Sequence, residues 1–214
     1  MVMVRIPLRR YGGRAVRWVT RSGHREALTR QLEPVVASFG GIALDVGSGG
    51  RPPLDSSWTR RVRRVRVDIE WQPNVDLFCN AMALPVANGS VDAVLMSEVL
   101  EHVRDPHGMV AEVHRVLRPG GTFAGSVPFL AQGIHGSPDD YFRYTGSGLE
   151  SILAGFEDIE VVPHGNGLGV AWRMVLAQTR LLVPLNPLMR QLSRRTSTLQ
   201  PEGYTFVARR PSDE

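Results

Sequence analysis

The apolar positions of this chain change period along its length, and each change predicts an element. Over residues 25–38, Leu28, Leu32, Val35 and Val36 recur at helical spacing, predicting an amphipathic helix that Pro34 should kink or restart and Gly40-Gly41 should end. The next run, Ile42-Ala43-Leu44-Asp45-Val46, is short, apolar and enters a glycine turn, as a buried parallel strand does. Similar β-branched or apolar runs predict strands at 65–69, 75–79, 91–96, 122–127, 159–162 and 204–209. The clearest helix is 105–117: Asp105 can cap it, Pro106 suits its first turn, and Met109, Val110, Val113, Val116 and Leu117 share one face before Arg118-Pro119-Gly120-Gly121 stops it. A loop rich in Gly, Pro, His and Asp then runs to Thr145, and another helix is predicted at 146–154.

Strands alternating with helices over short connections predict an α/β fold, a doubly wound, mostly parallel seven-stranded sheet. Ligands of such sheets bind beyond the carboxyl ends of the strands, so function is expected in the loops after the first, second, fourth and fifth strands.

Composition adds limits. With 214 residues, 43% hydrophobic and 21% charged, the chain can bury a core, which excludes disorder throughout and suits one domain with a small appendage. All 25 basic residues are arginine, against 21 acidic ones, a formal charge of +4. Seven of those arginines (Arg5, Arg9, Arg10, Arg14, Arg17, Arg21 and Arg25) precede the first acid, so residues 1–25 read as a basic arm of +7 and residues 26–214 as one domain of 4 − 7 = −3. Such an arm can make weak contact with an anionic membrane surface; no nucleic-acid motif accompanies it, and no nucleic-acid partner is expected. The lone Cys79 excludes a disulfide framework and a Cys-rich zinc site, and suits a reducing, cytoplasmic compartment. The N-terminus makes a poor secretory signal, and no stretch reaches the roughly 20 apolar residues of a membrane span. His107, His114 and His164 have no partners at ligand spacing, so no metal site is expected. Residues 163–203 are expected to insert helices before the last strand. Their apolar stretch at 168–189 suits core packing, a lid over an acceptor, or an interfacial surface.

Two acids carry the chemistry. Asp45-Val46-Gly47-Ser48-Gly49-Gly50-Arg51 ends the first strand, and its glycines let backbone approach a ligand closely. Asp68 lies 23 positions after Asp45 at the end of the next strand, where a carboxylate can take both hydroxyls of a ribose. The alternatives are a bare strand-to-helix turn and a strand-end cap.

These residues resemble the class I, Rossmann-like S-adenosylmethionine-dependent methyltransferases. LDVGSGG is similar to their first motif, VDIE to the acidic motif after the second strand, and the stretch from Cys79 to Gly121 to their course through the fourth strand and next helix. The resemblance implies S-adenosylmethionine as cofactor, with Asp45, Gly47, Ser48 and Gly49 along its methionine part. It places Asp68 and Ile69 at the ribose, Asn80 and Ala81 by the adenine, and Ser97 and Glu98 near the transferred methyl. Asn80 stands where an Asp is usual, and Arg51, Pro52 and Pro53 depart from the fullest glycine motif. Only Trp71 to Asn74 separate the second and third strands, so the early crossovers should be shortened.

Methyl transfer to oxygen or nitrogen needs near-attack geometry, and a hydroxyl nucleophile needs a base. The segment PFLAQGIHGSPDDYFRYTGSGL resembles the His, Pro, Asp, Arg-Tyr-Thr loop of a bacterial subset of the family, which makes His135, Asp140, Arg143 and Tyr144 catalytic candidates, with His135 as base and Asp140 orienting it. A structural alternative pairs Asp140 with Arg143 over packed Tyr141, Phe142 and Tyr144, and makes His102 a helix-capping residue. The expected activity is methylation of O or N on a small-molecule acceptor, a glycan or natural-product precursor among the classes. Rivals are a nicotinamide oxidoreductase, disfavoured by Pro52 where the G-x-G-x-x-G motif needs glycine, a non-catalytic cofactor- or partner-binding relative, and a nucleic-acid methyltransferase.

Overall fold

A computed structural model describes residues 14–49, 54–130, 139–178, 191 and 200–212. Helix α1 (Arg14–Ser38) leads into β1 (Gly41–Val46), β2 (Val62–Asp68), β3 (Leu77–Phe78) and β4 (Val91–Ser97). Then follow α2 (Pro106–Val116), β5 (Leu117–Pro128), α3 (Gly146–Ile152), β6 (Glu157–His164), α4 (Gly167–Gln178) and β7 (Gly203–Arg209). The seven strands form one sheet in the order β3-β2-β1-β4-β5-β7-β6, parallel except that β7 runs antiparallel to both β5 and β6.

Ala43, Leu44, Asp45 and Val46 are all buried because β1 is covered on both faces. Alternate residues serve alternate faces. Ala43 of β1 and Ala93 and Leu95 of β4 pack beneath Leu28, Leu32 and Val36 of α1. Leu44, Val46, Val94 and Met96 join Met109, Val110 and Val113 of α2, Leu149 of α3, and Phe123 and Phe206 on the opposite face. Asp105 caps α2 by accepting from Gly108 N at 2.9 Å, with Pro106 in its first turn.

Several boundaries differ from the pattern-based ones. Helix α1 begins at Arg14 and passes through Pro34, so the division at residue 25 falls inside it. Residues 1–13 of the basic arm lie outside the described residues, as do Arg51, Pro52, Pro53, His135 and 179–189 of the apolar stretch. The third strand is only Leu77–Phe78, and no helix joins β2 to β3; Asp76 closes that connection by donating its N–H to Arg66 O at 2.9 Å and accepting from Arg66 N at 2.8 Å. Between β1 and β2, the described residues hold one 3-10 turn, Asp55–Ser57. No described helix is long and apolar enough to cross a membrane.

Candidate functional site

The turn after β1 is shaped by Gly47, whose φ is +68° and where a Cβ would overlap Val99 Cγ2. Its N–H donates to Val67 O at 2.8 Å, folding the turn back over β2. Gly49 donates to Asp68 Oδ2 at 2.9 Å, Glu70 donates to Asp68 Oδ1 at 2.9 Å, and Asn74 Nδ2 donates to Gly49 O at 3.1 Å. The acid at the end of β2 therefore fixes both its own loop and the glycine turn, and each oxygen keeps a lone pair for another donor.

Beyond the carboxyl ends of β1, β2 and β4 opens a cavity of about 600 Å³. Seven of the residues expected to bind the cofactor line it: Gly47, Gly49, Asp68, Ile69, Asn80, Ala81 and Glu98. Three lie off its lining. Asp45 shares the β1 face of Ala43, and there it is gripped by Arg64, whose Nε donates to Oδ2 at 2.9 Å. The same guanidinium pairs with Asp55 and lies 4.7 Å over the Trp58 ring. Burial nevertheless holds the Asp45 carboxyl above its usual range, Arg64 only partly offsetting it. Ser48 is buried, and its Oγ has no hydrogen-bond partner among the described residues. Ser97 Oγ lies 2.9 Å from Ser126 Oγ.

Residues 44–125 match the family model for a methyltransferase domain. The chain is 43% identical over 117 residues to a probable S-adenosylmethionine-dependent methyltransferase of Mycolicibacterium smegmatis, covering 50% of this chain and 43% of that protein. It is 56% identical over 116 residues to an uncharacterized methyltransferase of Mycobacterium sp. (strain KMS), covering 44% and 46% respectively. The stretch from residue 44 to 125 is therefore similar to a methyltransferase domain. Solved structures agree on the fold: a Haloferax volcanii methyltransferase in complex with the Trm112 methyltransferase activator superposes with a TM-score of 0.62 at 17% identity, over 92% of this chain and 96% of that one. A methyltransferase from Bacillus halodurans gives 0.58 at 16% identity, over 86% and 99%. The chain spans only 30% to 43% of the length of the first curated relatives it matches.

The far wall of the cavity is built by the turn after β4. Glu98 has φ +58°, its N–H donates to Ser126 O at 2.9 Å, and its Oε1 accepts from Ser126 Oγ at 3.0 Å. The 3-10 turn Leu100–His102 follows. Glu101 is 3% exposed, and burial first, then the nearby Glu98 charge, push its carboxyl well above the usual range. His102, read as a capping residue, lies on the cavity lining, with Nδ1 2.7 Å from Asp139 O and Nε2 3.6 Å from Glu101 Oε1. A carbonyl oxygen only accepts, so Nδ1 carries the proton of the neutral ring and Nε2 is its basic nitrogen.

The loop candidates are tied into the fold. Arg143 forks onto Asp140, with Nη2 donating to Oδ2 at 2.7 Å. Tyr144 is buried and donates its hydroxyl to Leu100 O at 3.0 Å; burial, aided by Glu101, pushes that hydroxyl up to about 12, so near neutral pH it stays a donor. Asp140, Arg143 and Tyr144 all lie off the cavity lining. The loop instead sends Tyr141 to that lining, where its hydroxyl accepts from Arg104 Nε at 2.8 Å and donates to Asp139 Oδ2 at 2.8 Å. Met82, Val99 and Arg104 complete the wall beyond what motif spacing pointed to. Among the described residues no three His, Cys, Asp or Glu side chains cluster as a metal site.

Proposed function

We propose that this cavity binds S-adenosylmethionine and that the protein transfers its methyl group to an oxygen or nitrogen of a small-molecule acceptor. The observation that carries the reading is Asp68: its carboxylate reaches the cavity from the end of β2 while its two oxygens hold the loops on either side. The residues present fit the group. About 600 Å³ lies within the usual range of small-molecule sites. Gly47 leaves room that a Cβ would fill against Val99, and Ile69, Ala81 and Met82 offer apolar surface to a planar base.

When bound, the cofactor supplies an electrophilic methyl on a sulfonium. Asp68 would accept from the ribose hydroxyls. The backbone at Gly47 and Gly49 would follow the methionine part. Asn80, whose Oδ1 already accepts from Met82 N at 3.0 Å, would face the adenine edge with Ala81. His102 is the imidazole we assign to removal of the acceptor's proton, because it faces the cavity with its tautomer set by Asp139 O. The Asp140–Arg143 pair and Tyr144 are assigned to holding the loop. His135, a few residues before Asp139, keeps its place as the rival base.

Calorimetric titration with S-adenosylmethionine and S-adenosylhomocysteine tests the reading. Micromolar binding by the wild type, weakened at least tenfold in Asp68→Ala, is the expected result; loss of one bidentate partner is worth about 1–3 kcal/mol. No binding by folded protein overturns it. On an acceptor found by screening, His102→Gln is expected to lose 10²-fold or more in kcat, while His135→Ala loses less; the reverse ranking would return the base to the loop.

A further inference from the structure

The acids behind the cavity wall have a task that holding the cofactor does not assign. Glu98 lies on the wall. Glu101, three residues on, is buried to 3% exposure, and its Oε2 has no hydrogen-bond partner among the described residues. The groups facing it are Glu98 from the end of β4, His102 from its own turn, Asp140 and Arg143 from the segment before α3, and the Tyr144 hydroxyl. The one guanidinium among them is forked onto Asp140. Two interacting carboxylates, one on the cavity wall and one sealed from water behind it, cannot both ionise cheaply unless a cation stands beside them.

We propose that the Glu98–Glu101 pair is the counter-charge for a sulfonium in this cavity, so that binding of the cationic methyl donor expels a proton that binding of its neutral thioether product does not. The proposal rests on the cofactor reading above. Burial and the Glu98 charge hold the Glu101 carboxyl well above the usual range, so the pair has a proton to give up. A positive charge at the wall lowers that affinity for the proton, and by linkage the proton leaves as the cation enters. Donor and product share the adenosine and amino-acid groups and differ by one methyl and one positive charge, so comparing them isolates the effect. Once the methyl has gone, the attraction that held the donor has gone with it, and the pair takes back its proton while the neutral product is still bound, so the product leaves without further proton exchange.

The test is calorimetric titration of the full chain with S-adenosylmethionine and with S-adenosylhomocysteine, each repeated from neutral pH downward in buffers of different ionisation enthalpy, which counts protons released. The expected result is about one proton more for the donor than for the product. That difference should vanish in Glu101→Gln and persist in His102→Gln. Equal proton counts for the two ligands in the wild type overturn the proposal and leave cofactor binding standing. A difference that vanishes in His102→Gln and persists in Glu101→Gln moves the proton to the imidazole and also overturns it. Binding of neither ligand to folded wild type fails the cofactor reading itself. If Glu101→Gln does not fold, Glu98→Gln serves: the ratio of donor to product affinity should fall roughly tenfold, and an unchanged ratio contradicts the proposal.

Discussion

A carboxylate taken out of water needs either a cation or a proton, and three acids here meet that need differently. Asp45 takes Arg64, Asp140 takes Arg143, and Glu101, whose Oε2 has no partner among the described residues, is held by burial well above the usual carboxylate range. The last case has a pH signature. A carboxyl whose value is raised in the folded state favours folding at low pH, and that contribution is lost as pH rises through the raised value. Glu101→Gln carries no such loss, so its stability relative to wild type should increase from acid toward neutral pH in urea unfolding; a difference independent of pH would contradict the placement. Tyr144→Phe should cost about 1–2 kcal/mol, because it strips a buried donor from Leu100 O, and should leave cofactor affinity unchanged. Asp68 was legible as a site residue because it ends a strand, where either face opens to the loops. Asp45, expected beside the cofactor, lies off the cavity lining, since strand alternation turns it to the α1 face. His102 was read as a capping residue because spacing alone cannot tell one from a histidine on a cavity wall.

At the scale of elements, the turn after β1 and the helix after the β4 turn set the cavity's opposite sides. Gly47→Ala would combine positive φ with overlap at Val99, and is expected to lower the melting temperature and abolish cofactor binding together. Wild-type binding by this variant would show that the turn yields. Asp105→Ala, which removes the cap of α2, should cost about 1 kcal/mol in urea unfolding and leave binding intact, since the cap faces Gly108 and not the cavity. Helix α2 was readable to within a residue from its cap and apolar stripe. Helix α1 was read too short: its apolar period is clear only from Leu28, and the residues before it carry arginines that a helix accepts as readily as a tail.

For the molecule as a whole, hydrophobic patterning carried the doubly wound sheet, the short link at 71–74 carried the missing helix between β2 and β3, and the glycine turn with Asp68 carried the resemblance. Patterning carried a mostly parallel sheet but not which strand runs antiparallel. A strand buried on both faces has the same apolar run whether its neighbour is parallel or antiparallel, so the place of β7 between β5 and β6 emerges only from the packing. The same sheet order brings the ends of β1, β2 and β4 around one cavity, which is where the account stands or falls. The most direct test is the crystal structure of the full chain with S-adenosylhomocysteine. The account predicts the ribose hydroxyls on Asp68, the adenine between Ile69 and Ala81, and the thioether sulfur on the Glu98 side of the cavity. A ligand seated elsewhere, or one whose ribose makes no bond to Asp68, would contradict it.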